Sequence, residues 1–148
     1  MQPIVNYVEV SPLIGTGGQP DQSGMKQLAD KGYKAIVNVR TSGEEFDQAG
    51  EEKQALELGL RYYMVPLGPR KLQDQQALAF NTLLSSLRVQ KVFVHCRTGS
   101  RVVALMMIYY ALEEGMPMDK AEQEAKKTGA THPQVIELAK QVIGRQKK

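Results

Sequence analysis

Apolar segments of strand length and of helix length alternate along the whole chain. Residues 35–39 and 91–95 are short, mainly apolar runs that predict two buried strands, and residues 62–65 form a similar run. In the segments between these runs, apolar residues recur three and four positions apart, which is typical of helices that pack on one face. The alternation therefore predicts an α/β domain.

One long segment differs from the others because it has no polar face. From Arg101 to Glu114 apolar residues occur nearly all round the predicted helix, and Gly115 and Pro117 mark its end. A helix of this kind lies inside a protein. Its uninterrupted apolar stretch, residues 102–112, is much shorter than the roughly 20 residues that cross a bilayer. The sequence therefore predicts a buried core helix and no membrane segment.

The composition narrows the class of protein. The chain has 148 residues, 42% hydrophobic and 24% charged, which fits a single globular domain over residues 1–148. A net charge of +3 without a basic patch does not indicate a nucleic-acid partner, whereas a small anionic substrate fits it. No signal segment is visible at the N-terminus and the chain has one cysteine, so we expect a cytoplasmic location.

The segment 92–102 combines a buried strand, a short polar loop and the start of the buried helix. Such a junction can bind an anion, because the first amides of a helix have no partners within it and the helix dipole is positive there. Gly99 permits the backbone conformation of a tight loop. Cys96 lies close to the guanidinium groups of Arg97 and Arg101, which favour the thiolate over the thiol. We therefore expect Cys96 to be ionised at neutral pH and to act as a nucleophile.

Two residues of this segment also have a structural interpretation. A lone cysteine after a strand is often a small buried core residue. The residues around Cys96 are mostly polar, however, and Arg97 and Arg101 would be costly to bury without an anion, which favours the functional interpretation. His95 either supports the thiolate through a hydrogen-bond network or is an ordinary core histidine, and the sequence leaves both open.

The motif His95-Cys96-x-x-Gly99-x-Arg101 resembles the signature of cysteine-dependent protein tyrosine and dual-specificity phosphatases. A longer pattern resembles the bacterial dual-specificity-phosphatase-like domain called beta-lactamase-hydrolase-like. This pattern comprises residues 17–20, 32–40, 62–66 and 95–102. The resemblance covers most of residues 7–140 and implies a three-layer fold with a mainly parallel, four- to five-stranded central sheet between helices. It also implies that Cys96 is the nucleophile and that Arg101 binds phosphate.

The loop between nucleophile and arginine differs from the phosphatase pattern. Its residues are the substrate-binding candidates Arg97, Thr98, Gly99 and Ser100. Phosphatases of the superfamily usually have five residues between cysteine and arginine, and this chain has the four-residue loop that is also found in rhodanese-like sulfurtransferases. Val102 occupies the position where phosphatases commonly have a Ser or Thr that helps the thiolate leave, and a hydroxyl of the loop is the candidate to replace it.

The general acid is the least defined part of the predicted site. Phosphatases of the superfamily carry an aspartate on a loop that precedes the cysteine, and the corresponding segment, residues 66–71, contains no carboxylate. Asp74 is the nearest downstream candidate, although an aspartate there also fits the first turn of a helix. Glu44, Glu45 and Asp47 follow another strand end and are further candidates, with a solvated loop as the alternative interpretation.

Arg40 follows a strand that we expect to end at the same edge of the sheet as Cys96, where parallel sheets bind ligands. It is therefore a candidate for a second substrate-binding arginine. We expect no metal or cofactor, because no carboxylate or cysteine joins His95 or His132 at ligand spacing. The glycines in residues 15–18 also lack the third glycine of a dinucleotide-binding fingerprint.

Three hypotheses about function follow. The first is a cysteine phosphatase that hydrolyses a phosphorylated small molecule or phosphoprotein, with phosphotyrosine among the candidate substrates, through a phosphocysteine. The second is a rhodanese-like sulfurtransferase that carries a persulfide on Cys96. The third is a non-catalytic phosphate-binding module, which the undefined general acid and Val102 favour. None of the three needs a cofactor, a nucleic acid or a membrane.

Overall fold

The computed structural model of the chain describes residues 4–40, 48–67, 72–87, 89–97, 100–129 and 132–147. Within these ranges the chain forms five strands and six helices. The strands are β1 (Val8–Ser11), β2 (Ile14–Gly17), β3 (Ala35–Asn38), β4 (Arg61–Met64) and β5 (Val92–His95). The helices are α1 (Gln22–Asp30), α2 (Gln48–Glu57), α3 (Asp74–Ser86), α4 (Ser100–Leu112), α5 (Met118–Lys126) and α6 (Pro133–Gln146).

The strands form one sheet in the order β1-β2-β5-β3-β4. β1 pairs with β2 in the antiparallel sense, and the other three pairings are parallel. The last strand in the sequence, β5, therefore lies in the middle of the sheet. The predicted mainly parallel sheet of four to five strands is confirmed.

Side chains of β5 alternate between the two faces of the sheet, and different helices cover each face. Val92 and Val94 belong to a core cluster with buried side chains of α3, α4, α5 and α6. Phe93 packs on the other face with Ile36 and with buried side chains of α1 and α2, such as Leu28. The result is the predicted arrangement of a sheet between two helical layers.

Helix α4 is buried almost all round, as its sequence predicts. Every residue from Arg101 to Ala111 is buried, because the sheet covers one side of the helix and α5 and α6 pack against it as well. Across the ranges that the structure describes, no helix has the length and the apolar character needed to cross a membrane.

Helix α1 has a side-chain cap at its start and a glycine after its end. The Asp21 side chain accepts a hydrogen bond from the Gly24 amide at 2.7 Å, which caps the start of the helix. Gly32 follows its end with φ of 92°, a conformation that glycine adopts at little cost. The cap fixes the backbone at Asp21, two residues after Gln19. Gln19 belongs to the site described below.

Candidate active site

The candidate site lies at the edge of the sheet where the parallel strands end. Gly17, His95, Asn38 and Met64 are the last residues of β2, β5, β3 and β4, and they lie side by side in register. The segments that follow these residues begin at one edge, which is where parallel sheets bind ligands. Cys96 follows β5 directly at this edge.

Cys96 is completely buried, and its backbone is held at both polar atoms. Its amide donates to the Gly17 carbonyl at 3.3 Å, and its carbonyl lies 3.3 Å from Nδ1 of His95. Its side chain belongs to the core cluster on the α4 side of the sheet. Thr98 and Gly99 lie outside the described residues, and α4 begins at Ser100, which is half-buried. The strand and the helix that flank the loop are therefore present as predicted.

The two arginines next to the loop have different environments. Arg101, in the first turn of α4, is 6% exposed, and its Nη1 donates to the Leu67 carbonyl at 2.8 Å. Arg97 is exposed, and its carbonyl accepts a hydrogen bond from the Gln19 amide at 3.0 Å. A buried guanidinium needs acceptors or an anion around it. The environment of Arg101 fits an anion-binding side chain, whereas that of Arg97 fits a side chain at the rim.

Arg40 lies at the same edge, two residues after the end of β3. It is 4% exposed, and its Nη1 donates to Oε1 of Gln19 at 3.0 Å. Its backbone amide donates to Oδ1 of Asn38 at 2.9 Å. Arg40 is thus tied both to its own strand and to the segment that follows β2, close to where Gln19 meets Arg97.

Behind Cys96, on the α1/α2 side of the sheet, lies a buried polar network centred on Glu51. Oε2 of Glu51 is 2.9 Å from Nε2 of His95 and accepts from the Tyr62 hydroxyl at 2.7 Å and from Nδ2 of Asn38 at 3.3 Å. Oε1 of Glu51 accepts from Nε2 of Gln19. Nδ2 of Asn38 also donates to the Tyr62 hydroxyl at 2.8 Å. One carboxylate from α2 therefore joins side chains from β3, β4, β5 and the segment after β2.

The network sets the charge of its members. Burial alone would raise the pKa of Glu51, but the hydrogen bond and charge of His95, with hydrogen bonds from Tyr62 and Gln19, hold that pKa below its usual range. Burial raises the pKa of the Tyr62 hydroxyl, and although the Asn38 hydrogen bond lowers it, the Glu51 charge adds to the rise. Near neutral pH, Glu51 is therefore a carboxylate and Tyr62 a neutral donor.

Asp74 is engaged in a contact between two helices. It begins α3, and its two oxygens accept from Nε and Nη2 of Arg145 at 2.6 to 3.1 Å and from Nε2 of Gln146 at 2.9 Å. The Arg145 and Gln146 hydrogen bonds hold the pKa of Asp74 below its usual range, which works against a proton donor. Its assignment as general acid stays a prediction. Glu44, Glu45 and Asp47, the other candidates, lie outside the described residues.

Glu51 is not among the site residues predicted from the sequence, although a signal for it exists. Asn38 and His95 are polar residues at buried positions of two neighbouring strands, and buried polar groups nearly always have hydrogen-bond partners. Their partner lies on α2, far away in the sequence. Among the residues that the structure describes, no group of three or more His, Cys, Asp or Glu side chains is placed to hold a metal ion.

Similar proteins are known at the level of sequence. Residues 8–144 match the family model described as "DSP-PTPase phosphatase fused to NAD+ Kinase". Beta-lactamase hydrolase-like proteins of Xylella fastidiosa and Agrobacterium fabrum are 29% and 27% identical to the chain over 121 and 125 residues. The alignments cover 80% and 82% of this chain and 28% and 29% of those relatives, so the chain spans less than a third of their length.

Solved structures share the fold. The DUF442 protein of Shewanella putrefaciens CN-32 has a TM-score of 0.79 and 19% identity, with 97% of this chain and 95% of that chain covered. Tk-PTP in its active form has a TM-score of 0.79 and 16% identity, with 98% and 99% covered. TpbA of P. aeruginosa in complex with pTyr has a TM-score of 0.72 and 16% identity, with 97% and 85% covered. These matches confirm the resemblance inferred from the sequence.

Proposed function

Because the chain belongs to the family described as DSP-PTPase phosphatase fused to NAD+ kinase, we propose that it hydrolyses phosphomonoesters through a phosphocysteine on Cys96. The observation that carries this proposal is the position of Cys96 and Arg101 at the two ends of the loop between β5 and α4, both buried at the ligand-binding edge of the sheet. A thiol and a guanidinium in this arrangement, beside a helix N-terminus, favour a thiolate and a bound oxyanion.

The reaction has two displacement steps at phosphorus. The Cys96 thiolate forms an S–P bond while the P–O bond to the leaving group breaks, and the leaving oxygen takes up a proton. Water then attacks the phosphocysteine, so that inorganic phosphate leaves and the thiolate is restored. The guanidinium of Arg101 binds two equatorial oxygens in both steps. Its hydrogen bond to the Leu67 carbonyl orients the guanidinium fork.

The substrate class that we propose is a phosphorylated small molecule or a phosphoprotein, with phosphotyrosine as the first candidate. TpbA, which shares the fold, has been crystallised with pTyr. The exposed Arg97 would contact the part of the substrate outside the loop, and Arg40 would supply a second positive charge at the same edge. A hydroxyl of Thr98 or Ser100 would assist the second step, because Val102 occupies the position where phosphatases commonly have a Ser or Thr.

Hydrolysis of an aryl phosphate tests the proposal. An aryl leaving group needs little protonation, so the wild-type protein should turn it over even with a weak general acid. Cys96→Ser should abolish turnover while the circular dichroism spectrum and the melting temperature stay close to those of the wild type. Unchanged turnover in this variant contradicts the mechanism. Binding of phosphate by the wild type without any turnover would instead support the non-catalytic module.

The loop length favours sulfur transfer as a second candidate function. Four residues separate Cys96 from Arg101, which is the spacing of rhodanese-like enzymes. In that reaction the thiolate takes the sulfane sulfur of thiosulfate and releases sulfite, and cyanide then removes the sulfur as thiocyanate. Both activities should be measured on one preparation. Sulfur transfer in the absence of phosphate hydrolysis would reverse the order of the two candidates.

A further inference from the structure

The imidazole of His95 has a hydrogen-bond acceptor at each of its two nitrogens. Nε2 lies 2.9 Å from Oε2 of Glu51, and Nδ1 lies 3.3 Å from the backbone carbonyl of Cys96. A carboxylate and a carbonyl only accept, so both ring nitrogens have to donate, whereas a neutral ring carries a single N–H. The ring is completely buried and stacks on Phe93 with 5.8 Å between the ring centres, which fixes its plane. This is the geometry of a doubly protonated imidazolium.

The donors around Glu51 are themselves fixed in orientation. The backbone amide of Arg40 donates to Oδ1 of Asn38, so the amide group of Asn38 turns Nδ2 toward Glu51 and Tyr62. The guanidinium of Arg40 can only donate, and it holds Oε1 of Gln19, so Nε2 of Gln19 points to Glu51. These donors and the Tyr62 hydroxyl satisfy the carboxyl group of Glu51 in its charged form.

We infer that Glu51 is a positioning residue that holds His95 as an imidazolium and, through its ring, orients the backbone of Cys96. The inference rests on the proposed function in taking Cys96 as the nucleophile. The ring lies on the α1/α2 side of the sheet with Phe93, and its Nδ1 fixes the direction of the Cys96 carbonyl. An anion-binding loop needs amide hydrogens, and not carbonyls, directed at the anion. The imidazolium also places a positive charge one residue from the thiol, which favours the thiolate.

The charge of the Glu51–His95 pair depends on a small set of groups. Within the described part of the chain, Glu51 from α2 and the Cys96 carbonyl contact the His95 ring, and Tyr62 from β4 contacts the same Glu51 oxygen. Arg40 acts from one hydrogen bond further away through Gln19. Because the pKa of Glu51 is held low and that of Tyr62 is raised, neither changes its charge near neutral pH. Glu51 therefore remains a charged acceptor for Nε2 of His95 over that range.

The protonation state of His95 can be measured directly in the wild-type protein. The chain has two histidines, and His132→Gln assigns the spectrum because His132 lies at the start of α6 without a side-chain capping bond. Nitrogen-15 NMR of the imidazole ring should show a proton on both nitrogens of His95 at neutral pH. A ring with one protonated nitrogen would overturn the inference, and this measurement needs no destabilising substitution.

The effect on the nucleophile is tested by the pH dependence of Cys96 alkylation with iodoacetamide. In Glu51→Gln, His95 loses its counter-charge and returns to the neutral ring, so the pH midpoint of labelling should rise by about one unit. The matched control is Glu52→Gln, an exposed carboxylate on the same helix, which should not move the midpoint. An unchanged or lower midpoint in Glu51→Gln would overturn the inference.

A double variant shows whether Glu51 acts through His95. His95→Asn should raise the midpoint by a similar amount, and Glu51→Gln added to it should cause no further rise, because both substitutions remove the same unit. Additive shifts would mean that Glu51 acts on the thiol independently of His95, which contradicts the inference. The NMR and labelling experiments involve no phosphate ester. A protein without phosphatase activity but with a doubly protonated His95 would therefore refute the proposed function and leave this inference standing.

Discussion

The two faces of the sheet at β5 and Cys96 carry different chemistry within five residues of chain. On the α4 side, Val92, Val94 and Cys96 pack into a continuous apolar core. On the α1/α2 side, Phe93 packs among apolar residues and His95 enters the polar network of Glu51. Cys96 thus has an apolar layer against its side chain and a buried polar network behind its backbone.

The two faces differ in how they respond to a substitution. When a side chain in an apolar layer is truncated, the free energy of unfolding falls with the volume of the cavity that is left. Neighbouring side chains partly fill this cavity. A buried polar network behaves differently, because removing one member leaves the others without partners in a medium of low dielectric constant. We therefore expect a substitution in the Glu51 network to destabilise every strand that the network joins.

The largest effect is expected for the arginine that ends the loop on the α4 side. Arg101→Lys keeps the positive charge but loses the bidentate fork, so kcat/KM for an aryl phosphate should fall by about a hundredfold or more, with kcat affected. Arg97→Ala should mainly raise KM, since that side chain is exposed. If Arg97→Ala lowers kcat more than Arg101→Lys does, the assignment of the two arginines is wrong.

A smaller effect is expected for the stability of the Glu51 side. Glu51→Gln removes the carboxylate that accepts from His95 and places one amide NH₂ among donors, so the free energy of unfolding should fall by about 3 kcal/mol at pH 7. Urea unfolding measures it. Glu52→Gln, on the exposed side of the same helix, should change stability by less than about 0.5 kcal/mol. Equal losses in both variants would show that the buried network contributes no more to the free energy of unfolding than an exposed carboxylate does.

The difference in stability between the wild type and Glu51→Gln should also depend on pH. The pKa of Glu51 is lower in the folded than in the unfolded state, so its contribution is fully present above the unfolded value of about 4.3. It is lost as pH falls through the lower, folded value. The stability difference between the wild type and Glu51→Gln should therefore shrink below about pH 4. A difference that stays constant down to pH 3 would contradict this linkage.

Asn81 is an exception to this difference between the faces, because it is a buried polar residue on the apolar side. It lies on the inner face of α3 with Phe80 and Leu84, and neither polar atom of its amide has a hydrogen-bond partner among the described residues. Asn81→Leu should raise the free energy of unfolding by about 1 kcal/mol, since it removes two unsatisfied groups at similar volume. Gln75→Leu, exposed on the same helix, is the control. A loss of stability in Asn81→Leu alone would indicate that the amide has a partner in solution.

The smallest effect is expected at Asp74. Its ion pair with Arg145 is partly exposed, and pairs of this kind contribute little to stability. Asp74→Asn should therefore lower the melting temperature only slightly and leave turnover of an alkyl phosphate, a poor leaving group, within about twofold. A fall of about a hundredfold with the alkyl phosphate but not with an aryl phosphate would establish Asp74 as the general acid.

The contrast between the faces also explains what the sequence could predict. Val92, Val94 and the apolar residues of α4 form runs that are visible locally, and the strand, the buried helix and the position of Cys96 follow from them. Glu51 is one of several acidic residues near the start of α2, and only tertiary packing distinguishes it from Glu52. Asp74 is ambiguous for a similar reason. Its partner Arg145 lies near the other end of the chain, and local sequence carries no signal for that pairing.

The central position of β5 has a consequence for how the protein is made. Until residues 92–95 have left the ribosome, β2 and β3 each lack the neighbour that lies between them, and the nascent chain holds two strand pairs with open inner edges. Open edges of this kind pair readily with other chains, so a product truncated before β5 should aggregate rather than fold. The strand that closes the sheet also brings Cys96 to its edge. Cys96 is therefore added to the molecule in the same step that pairs the two open inner edges.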